Sequence, residues 1–384
     1  MSTVAATNIF YVGLDVHKAS IMIAVLPAGA DAPTRTDKVP NDPKVLQRYF
    51  TRLAQQGTIR ACYEASGAGY VLQRAMRDWG HACEVIAPSL IPQRPGHQRK
   101  HDRYDARQLA RLYRSGELTP VRIPTETEER VRDLVRCRTV FQRELLRARH
   151  YILKFLTRRG VRYTASKCHW TQAHHRWLEG LVKTAVLTGE DALVFDEYLG
   201  LMRYARQRRD ALDIQLDVLA RQPVLAPAVA QLSCFRGLDT QGALVLATEV
   251  VDWRRFAKPT QLMAYLGLVS REASSDGTEI RGSITKAGNS HCRHVLVQAA
   301  WAYRHAPAVG AALKRRQHGQ PAAVITHAWK AQHRLHKLYT HLAYRKRPQV
   351  AVVAVARELV GFLWAVMQDV RPGQPPPRTA EAVA

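Results

Sequence analysis

Acidic residues are scarce in this chain of 384 residues: 32 Asp and Glu stand against 57 Lys and Arg, a formal net charge of +25. A chain so short of acid is matched to a polyanionic partner, most often nucleic acid, with an anionic membrane surface the weaker alternative. Cysteine is sparse too. The six, at positions 62, 83, 137, 168, 234 and 292, form no CxxC pair, which argues against a disulfide scaffold and reads as thiols in a reducing compartment. The Cys168-His169 and His174-His175 cluster fits no zinc template and reads as a basic, partly solvated face. No run of about eighteen apolar residues is evident, so no membrane span is expected. The N-terminus lacks the basic-then-apolar pattern of a secretory signal, so the expected location is cytoplasmic. The chain is nevertheless 46% hydrophobic, enough for folded domains, and its length allows two or three.

The first part alternates strands and helices. Ile9 to Val16 and Ile21 to Leu26 are rich in β-formers. A possible edge strand covers Thr34 to Val39, and strands are expected over Thr58–Glu64 and Ala82–Ala87. Asp42-Pro43 marks a helix start, with Asp as N-cap and Pro at the first helical position. Val45, Leu46, Tyr49, Phe50 and Leu53 share one face of that helix. Further helices are expected over Tyr70–Trp79 and Asp102–Ser115. Apolar residues then recur at three- and four-residue intervals from Val131 to Leu156, and a second long helix is expected from Asp191 to Arg221. The pair predicts an antiparallel, coiled-coil-like hairpin or a plain helical bundle. Pro223 and Pro227 mark a linker, and Ser270 to Asn289 reads as a polar, turn-rich stretch. The domain expectation is an α/β domain over 1–120, a helical spacer over 121–228, a mainly α-helical C-terminal domain over 229–371 and a disordered tail over 372–384. From Arg281 to Arg357 there are fourteen Lys and Arg and no acid. Lys330, Arg334 and Lys337, flanked by His327 and His341, share one helix face there. Such a face is a good phosphate-backbone surface.

Against this basic background four acids stand out. Asp15 ends the first strand, Glu64 ends a later one, and Asp102 and Asp105 lie three apart at a helix start. Each has an ordinary reading: a strand-end acid can cap a turn, and acids suit a helix N-terminus. Together they offer hard oxygen ligands from neighbouring strands and one helix, as two Mg²⁺ ions require. Paired metals stabilise the attacking and leaving oxygens of phosphoryl transfer.

The order of elements and acids resembles the ribonuclease H-like fold in its RuvC-type form. Tyr63-Glu64-Ala65-Ser66-Gly67 and Lys100-His101-Asp102-Arg103-Tyr104-Asp105-Ala106-Arg107 resemble the hallmarks of the DEDD transposases of the insertion sequence 110 family (with its relatives 116 and 902). A second cassette of that family is matched by Phe256, Gln261-Leu262, Ala264-Tyr265-Leu266-Gly267-Leu268, Ser274-Ser275-Asp276-Gly277 and Arg281-Gly282-Ser283-Ile284-Thr285-Lys286-Ala287-Gly288-Asn289. The chain departs from the family at Phe235-Arg236-Gly237-Leu238-Asp239, where the family carries a Pro-Gly-Ile-Gly hairpin that contacts DNA.

The resemblance implies a DNA recombinase of a mobile element. Asp15, Glu64, Asp102 and Asp105 would hold Mg²⁺, two ions per site, with Mn²⁺ as a substitute. A serine would attack DNA and form a phosphoserine link. On local sequence alone Ser275 reads as an ordinary turn serine; the family alignment makes it the nucleophile, with Ser274 next and Ser283 and Ser270 behind. Arg271, Arg281 and Lys286 flank it and would hold phosphate oxygens, with Lys330, Arg334 and Lys337 as further contacts. The resemblance also implies double-stranded donor and target DNA, a structured guide RNA, composite sites in a dimer or tetramer, and a bacterial cytoplasmic, nucleoid-associated protein. The alternatives are a RuvC-like junction resolvase or nuclease with no covalent intermediate, and a non-enzymatic nucleic-acid-binding protein.

Overall fold

The computed structural model describes residues 8–92, 102–184, 186–275 and 278–370, so the tail expected over 372–384 lies outside the described residues. The chain divides into two compact units, Met1–Thr125 and Glu126–Ala384.

In the first unit the apolar runs become strands β1 (Ile9–Val16), β2 (Ser20–Pro27), β3 (Arg35–Pro40), β4 (Thr58–Glu64) and β5 (Ala82–Ile86). They form one sheet of order β3-β2-β1-β4-β5. Short connections make β1, β2 and β3 antiparallel neighbours. β4 and β5 run parallel to β1 and to each other, because helical crossovers return the chain to the same end of the sheet. Helix α1 (Pro43–Ala54) starts as the sequence dictates: the Asp42 carboxylate accepts from the amides of Lys44 and Val45 at 2.9 and 3.0 Å. It buries Leu46, Phe50 and Leu53. Tyr49 is half-buried and donates to Asp37 at 2.7 Å, and Val45 is exposed. Helix α2 (Val71–Asp78) adds Leu72 and Met76 to the same layer, against Val12, Leu14, Ile21 and Ile23. Each such side chain contributes roughly 1.5–3 kcal/mol on burial.

The opposite face carries helix α3 (Asp102–Arg114), and here the sheet is lined by small residues. Ala24, Gly13 and Cys62 lie side by side across β2, β1 and β4. A Cβ added at Gly13 would collide with the Ala106 carbonyl and stand 2.5 Å from the Ala110 amide nitrogen. Gly13 therefore lets the α3 backbone rest directly on β1, which fixes the height of the acids at the helix start above the end of β1.

The second unit is mostly helical. Helices α4 (Glu126–Arg158) and α6 (Gly189–Ala220) run antiparallel. Arg138 pairs with Asp213 at 2.7 Å, and Phe155 stacks on Phe195 at the far end. Between them in sequence lies α5 (Gln172–Lys183), whose Leu178 and Leu181 join the hairpin core. The remaining elements are α7 (Ala226–Leu232), α8 (Thr240–Val250), α9 (Pro259–Tyr265), strands β6 (Ser270–Ser275) and β7 (Thr278–Ile284), and helices α10 (Ser290–Ala300), α11 (Ala311–Gln317), α12 (Ala322–Ala343) and α13 (Pro348–Met367). The stretch read as turn-rich is thus a two-stranded antiparallel hairpin.

One sequence expectation needs correction. Helix α13 is long and apolar enough to cross a bilayer, by length and composition. The overlooked run is interrupted only by Arg357 and Glu358. In the structure it is a core helix: Val352, Val355, Leu359, Val360 and Leu363 are buried in the largest cluster of the second unit.

Candidate functional site

The C-terminal end of β1, the central strand, and the start of α3 meet at one end of the sheet. Asp15 lies near the C-terminal end of β1, and the chain turns at once, closed by the His17 amide donating to the Ser20 carbonyl at 3.0 Å. The Asn41 side chain pins this turn by donating to the His17 carbonyl at 2.9 Å. The imidazole of His17 then lies between two carboxylates, with Nε2 3.1 Å from Asp15 Oδ2 and 3.4 Å from Asp102 Oδ2. One ligand atom from each of the three falls within 4.8 Å of the others. Two carboxylates and one imidazole can hold a divalent cation; the oxygens favour Mg²⁺ or Mn²⁺, and the imidazole is the softer donor.

Glu64 ends β4, one residue beyond the Leu14–Tyr63 register pair, and so occupies the strand position beside Asp15. Its side chain is exposed. Asp105 sits a turn along α3 from Asp102 and is partly buried. Neither belongs to the tight three-residue group. A cavity of about 550 Å³ opens beside His17, bordered by Lys18, Ser66 and Gly67.

The second constellation is built from backbone locks. Gly267 has φ +65° at the end of α9, and the Ala287 carbonyl occupies the space a Cβ would take. The Tyr265 carbonyl does the same at Gly288. Arg293 ties the two segments by donating to the carbonyls of Leu266 and Ala287 at 2.9 and 3.0 Å. Asn289 caps α10 through the Cys292 amide and donates to Glu249 at 2.7 Å. Glu249 is buried, with Arg136 bonded to both its oxygens at 2.7 and 3.0 Å and Arg132 3.7 Å away. Burial pushes the Glu249 carboxyl up, but Arg136, Asn289 and Arg132 outweigh it and hold it below its usual value. This frame anchors both ends of the β6–β7 hairpin. Ser275 is the last residue of β6, paired with Thr278, and Ser274 pairs with Glu279. The side chains of Ser274, Ser275 and Arg281 lie outside the described residues.

Comparison with known proteins gives the family. A DEDD transposase family model matches residues 12–159, spanning all four acids, and a model described as the IS116/IS110/IS902 transposase family matches residues 229–314. The chain is 38% identical over 364 residues to y4qE of Sinorhizobium fredii (strain NBRC 101917 / NGR234), which bears a transposase name, with 94% of this chain and 89% of that protein covered. The chain belongs to the IS110/IS116/IS902 family of transposases. It is also 29% identical over 344 residues to the transposase for insertion sequence element IS1533 of Leptospira borgpetersenii, covering 88% of this chain and 97% of the relative.

The basic residues of this transposase divide. Arg271, Lys286, Lys330 and Lys337 are exposed. Arg334 is not free of counter-charge: Glu358 of α13, one residue beyond the acid-free stretch, pairs with it at 2.5 Å. His327 turns inward, its Nε2 3.2 Å from the Phe362 carbonyl. At the departure from the family hairpin, Asp239 caps α8 by accepting from the Gly242 amide at 2.7 Å, and Arg236 donates to the Ala306 carbonyl at 2.7 Å. Both side chains serve the fold. Sequence reasoning missed His17; its only signal was its place two residues after Asp15 at a strand end.

Proposed function

We propose that this transposase cuts and rejoins DNA by phosphoryl transfer at the C-terminal ends of the inner strands of an RNase H-like first unit. The strand order β3-β2-β1-β4-β5, with β2 alone running against the other four strands, supports that fold. The observation that carries the reading is the convergence of Asp15, His17 and Asp102 beside Glu64. Asp15, Glu64, Asp102 and Asp105 would hold Mg²⁺, and His17 would join or orient them. A bound divalent ion supplies charge neutralisation at the attacking and leaving oxygens.

Ser275 is the proposed nucleophile, with Ser274 as its alternative. Its Oγ forms a bond to phosphorus while a strand P–O bond breaks; the seryl proton leaves and the departing deoxyribose oxygen gains one. Attack by a freed strand end on the phosphoserine reverses these changes and rejoins DNA. Arg271, Arg281 and Lys286 hold the phosphate oxygens, Lys330 and Lys337 contact the strand further off, and Arg334 does so on release from Glu358. A structured RNA from the element guides target choice, and protomers assemble as a dimer or tetramer. Strand cleavage of element-end DNA with Mg²⁺ and the cognate RNA tests the reading. Asp15→Asn, Asp102→Asn and Ser275→Ala should each abolish strand exchange. Exchange that survives Ser275→Ala and Ser274→Ala together favours the resolvase-like alternative; exchange that survives the aspartate changes overturns the metal reading.

A further inference from the structure

The Cys168–His175 region, rejected above as a zinc site, builds something else. His174 is fully buried, not on a solvated face. Burial, then His169 and His175, push its imidazole down to about 4, so it is neutral near pH 7. It accepts at Nδ1 from the Trp170 amide at 3.1 Å, while Thr171 caps α5 through the His174 amide at 3.2 Å. These bonds hold Trp170 at φ +66°, a backbone state that side chains larger than glycine rarely adopt. The strained turn places the indole under Arg149, whose guanidinium carbon lies 4.9 Å from the ring centroid.

Arg149 and Trp170 line a cavity of about 490 Å³ between α4, α5 and α6. Its floor includes Leu178, Leu199 and Met202, all buried. Five arginines line it against a single carboxylate, Glu179. Arg209 is closely paired with Asp210, whereas Arg203 and Arg206 have only loose pairs, 3.8 Å to Asp196 and 3.7 Å to Asp210, and Arg176 has no ion pair among the described residues. Arg149 Nε is buried without a hydrogen-bond partner. Burial, then Arg209 and Arg206, lower the Arg149 pKa. Like charges crowded round an unpartnered buried donor await an anion.

We propose that this cavity is a nucleic-acid site in which the arginines clamp phosphates of a single strand and one unpaired base stacks on Trp170. Guanidinium forks match phosphate oxygens, and aromatic faces beside a cationic groove suit single strands. The choice of nucleic acid as partner rests on the transposase reading; none of the lining residues belongs to the acid group or to the serine hairpin.

The test uses full-length protein in EDTA, so that no strand is cut, with fluorescein-labelled 20-nucleotide single-stranded DNA and RNA read by anisotropy across a NaCl series. Arg149→Gln with Arg206→Gln should weaken binding about tenfold or more and flatten the salt dependence by roughly 1.4 units of slope. Trp170→Ala should weaken binding at least severalfold with the slope unchanged. The exposed pair Arg158→Gln with Arg221→Gln, outside the cavity, should stay within about twofold of wild type. Arg149→Gln alone should not lower the melting temperature, because it relieves buried like-charge repulsion. Equal loss in cavity and control pairs overturns the site, as does unchanged binding in the cavity variants. Displacement by poly-glutamate in preference to the oligonucleotides overturns the partner class. A protein that binds through the cavity yet never cuts DNA refutes the recombinase and spares this site; one that cuts while its cavity variants bind normally does the reverse.

Discussion

Replacing Gly13 by alanine asks α3 to move. The new Cβ would stand 2.5 Å from the Ala110 nitrogen, 3.0 Å from Leu109 Cβ and closer still to the Ala106 carbonyl. Ordinary contact needs roughly 3.5 Å, so the helix must retreat by about 1 Å. Backbone atoms make up most of the obstacle, so no side-chain rotation relieves it. Overpacking of this kind costs about 1–3 kcal/mol, and a unit of this size should lose several degrees of melting temperature. The same shift lifts Asp102 and Asp105 away from Asp15. A misplacement of about 1 Å at a reacting centre can cost roughly 10²-fold in rate. Gly13→Ala should therefore melt lower, bind Mn²⁺ more weakly by calorimetry and cut DNA roughly two orders of magnitude more slowly. Gly29→Ala is the control, since nothing lies within 4 Å of its added Cβ. If Gly13→Ala matches wild type in melting temperature and Mn²⁺ affinity, α3 is not seated on β1 as described.

Other outcomes follow from the same geometry. Asp15→Asn and Asp102→Asn should each weaken Mn²⁺ binding by calorimetry without lowering the melting temperature, since both side chains face a site, not a core; a large loss of stability would make them structural acids. His17→Ala should weaken Mn²⁺ binding less than either, and an effect as large as Asp15→Asn would promote it to an essential ligand. Glu249→Gln leaves Arg136 and Asn289 imperfectly paired and should destabilise the second unit by roughly 2–4 kcal/mol in denaturant titration. Because its folded pKa is lowered, the Glu249 carboxylate contributes stability fully above its ordinary value of 4.5, and that contribution is lost as pH falls through the lower folded value. Melting temperature should therefore drop on acidification below about pH 4.5 in the wild type and drop less in Glu249→Gln; parallel curves would refute the coupling.

The first unit was legible because its signals are local. Asp42-Pro43 named its own helix start, and β-branched runs named strands whose neighbours were decided by short turns and helical crossovers. The acids were visible as strand-end and helix-start carboxylates in a chain short of acid. What was not legible depended on residues distant in sequence. His17 meets Asp102 only after α3 docks on Gly13. Glu358 neutralises Arg334 from a different helix. The β6–β7 hairpin escaped because its polar strands lack the alternation that marks a buried sheet. His174 read as part of a solvated basic face because a buried neutral histidine and an exposed one read alike in sequence.

The central claim joins acids at the ends of inner strands, proposed to hold metal, to a serine that carries DNA. It is tested most directly by incubating the protein with element-end DNA, the cognate RNA and Mg²⁺, denaturing, digesting, and mapping any nucleotide-linked peptide by mass spectrometry. The account predicts a phosphoserine bond at Ser275 or its neighbour Ser274, abolished by Asp15→Asn. Cleaved DNA with no linked peptide, or attachment outside Ser270 to Ser283, would contradict it.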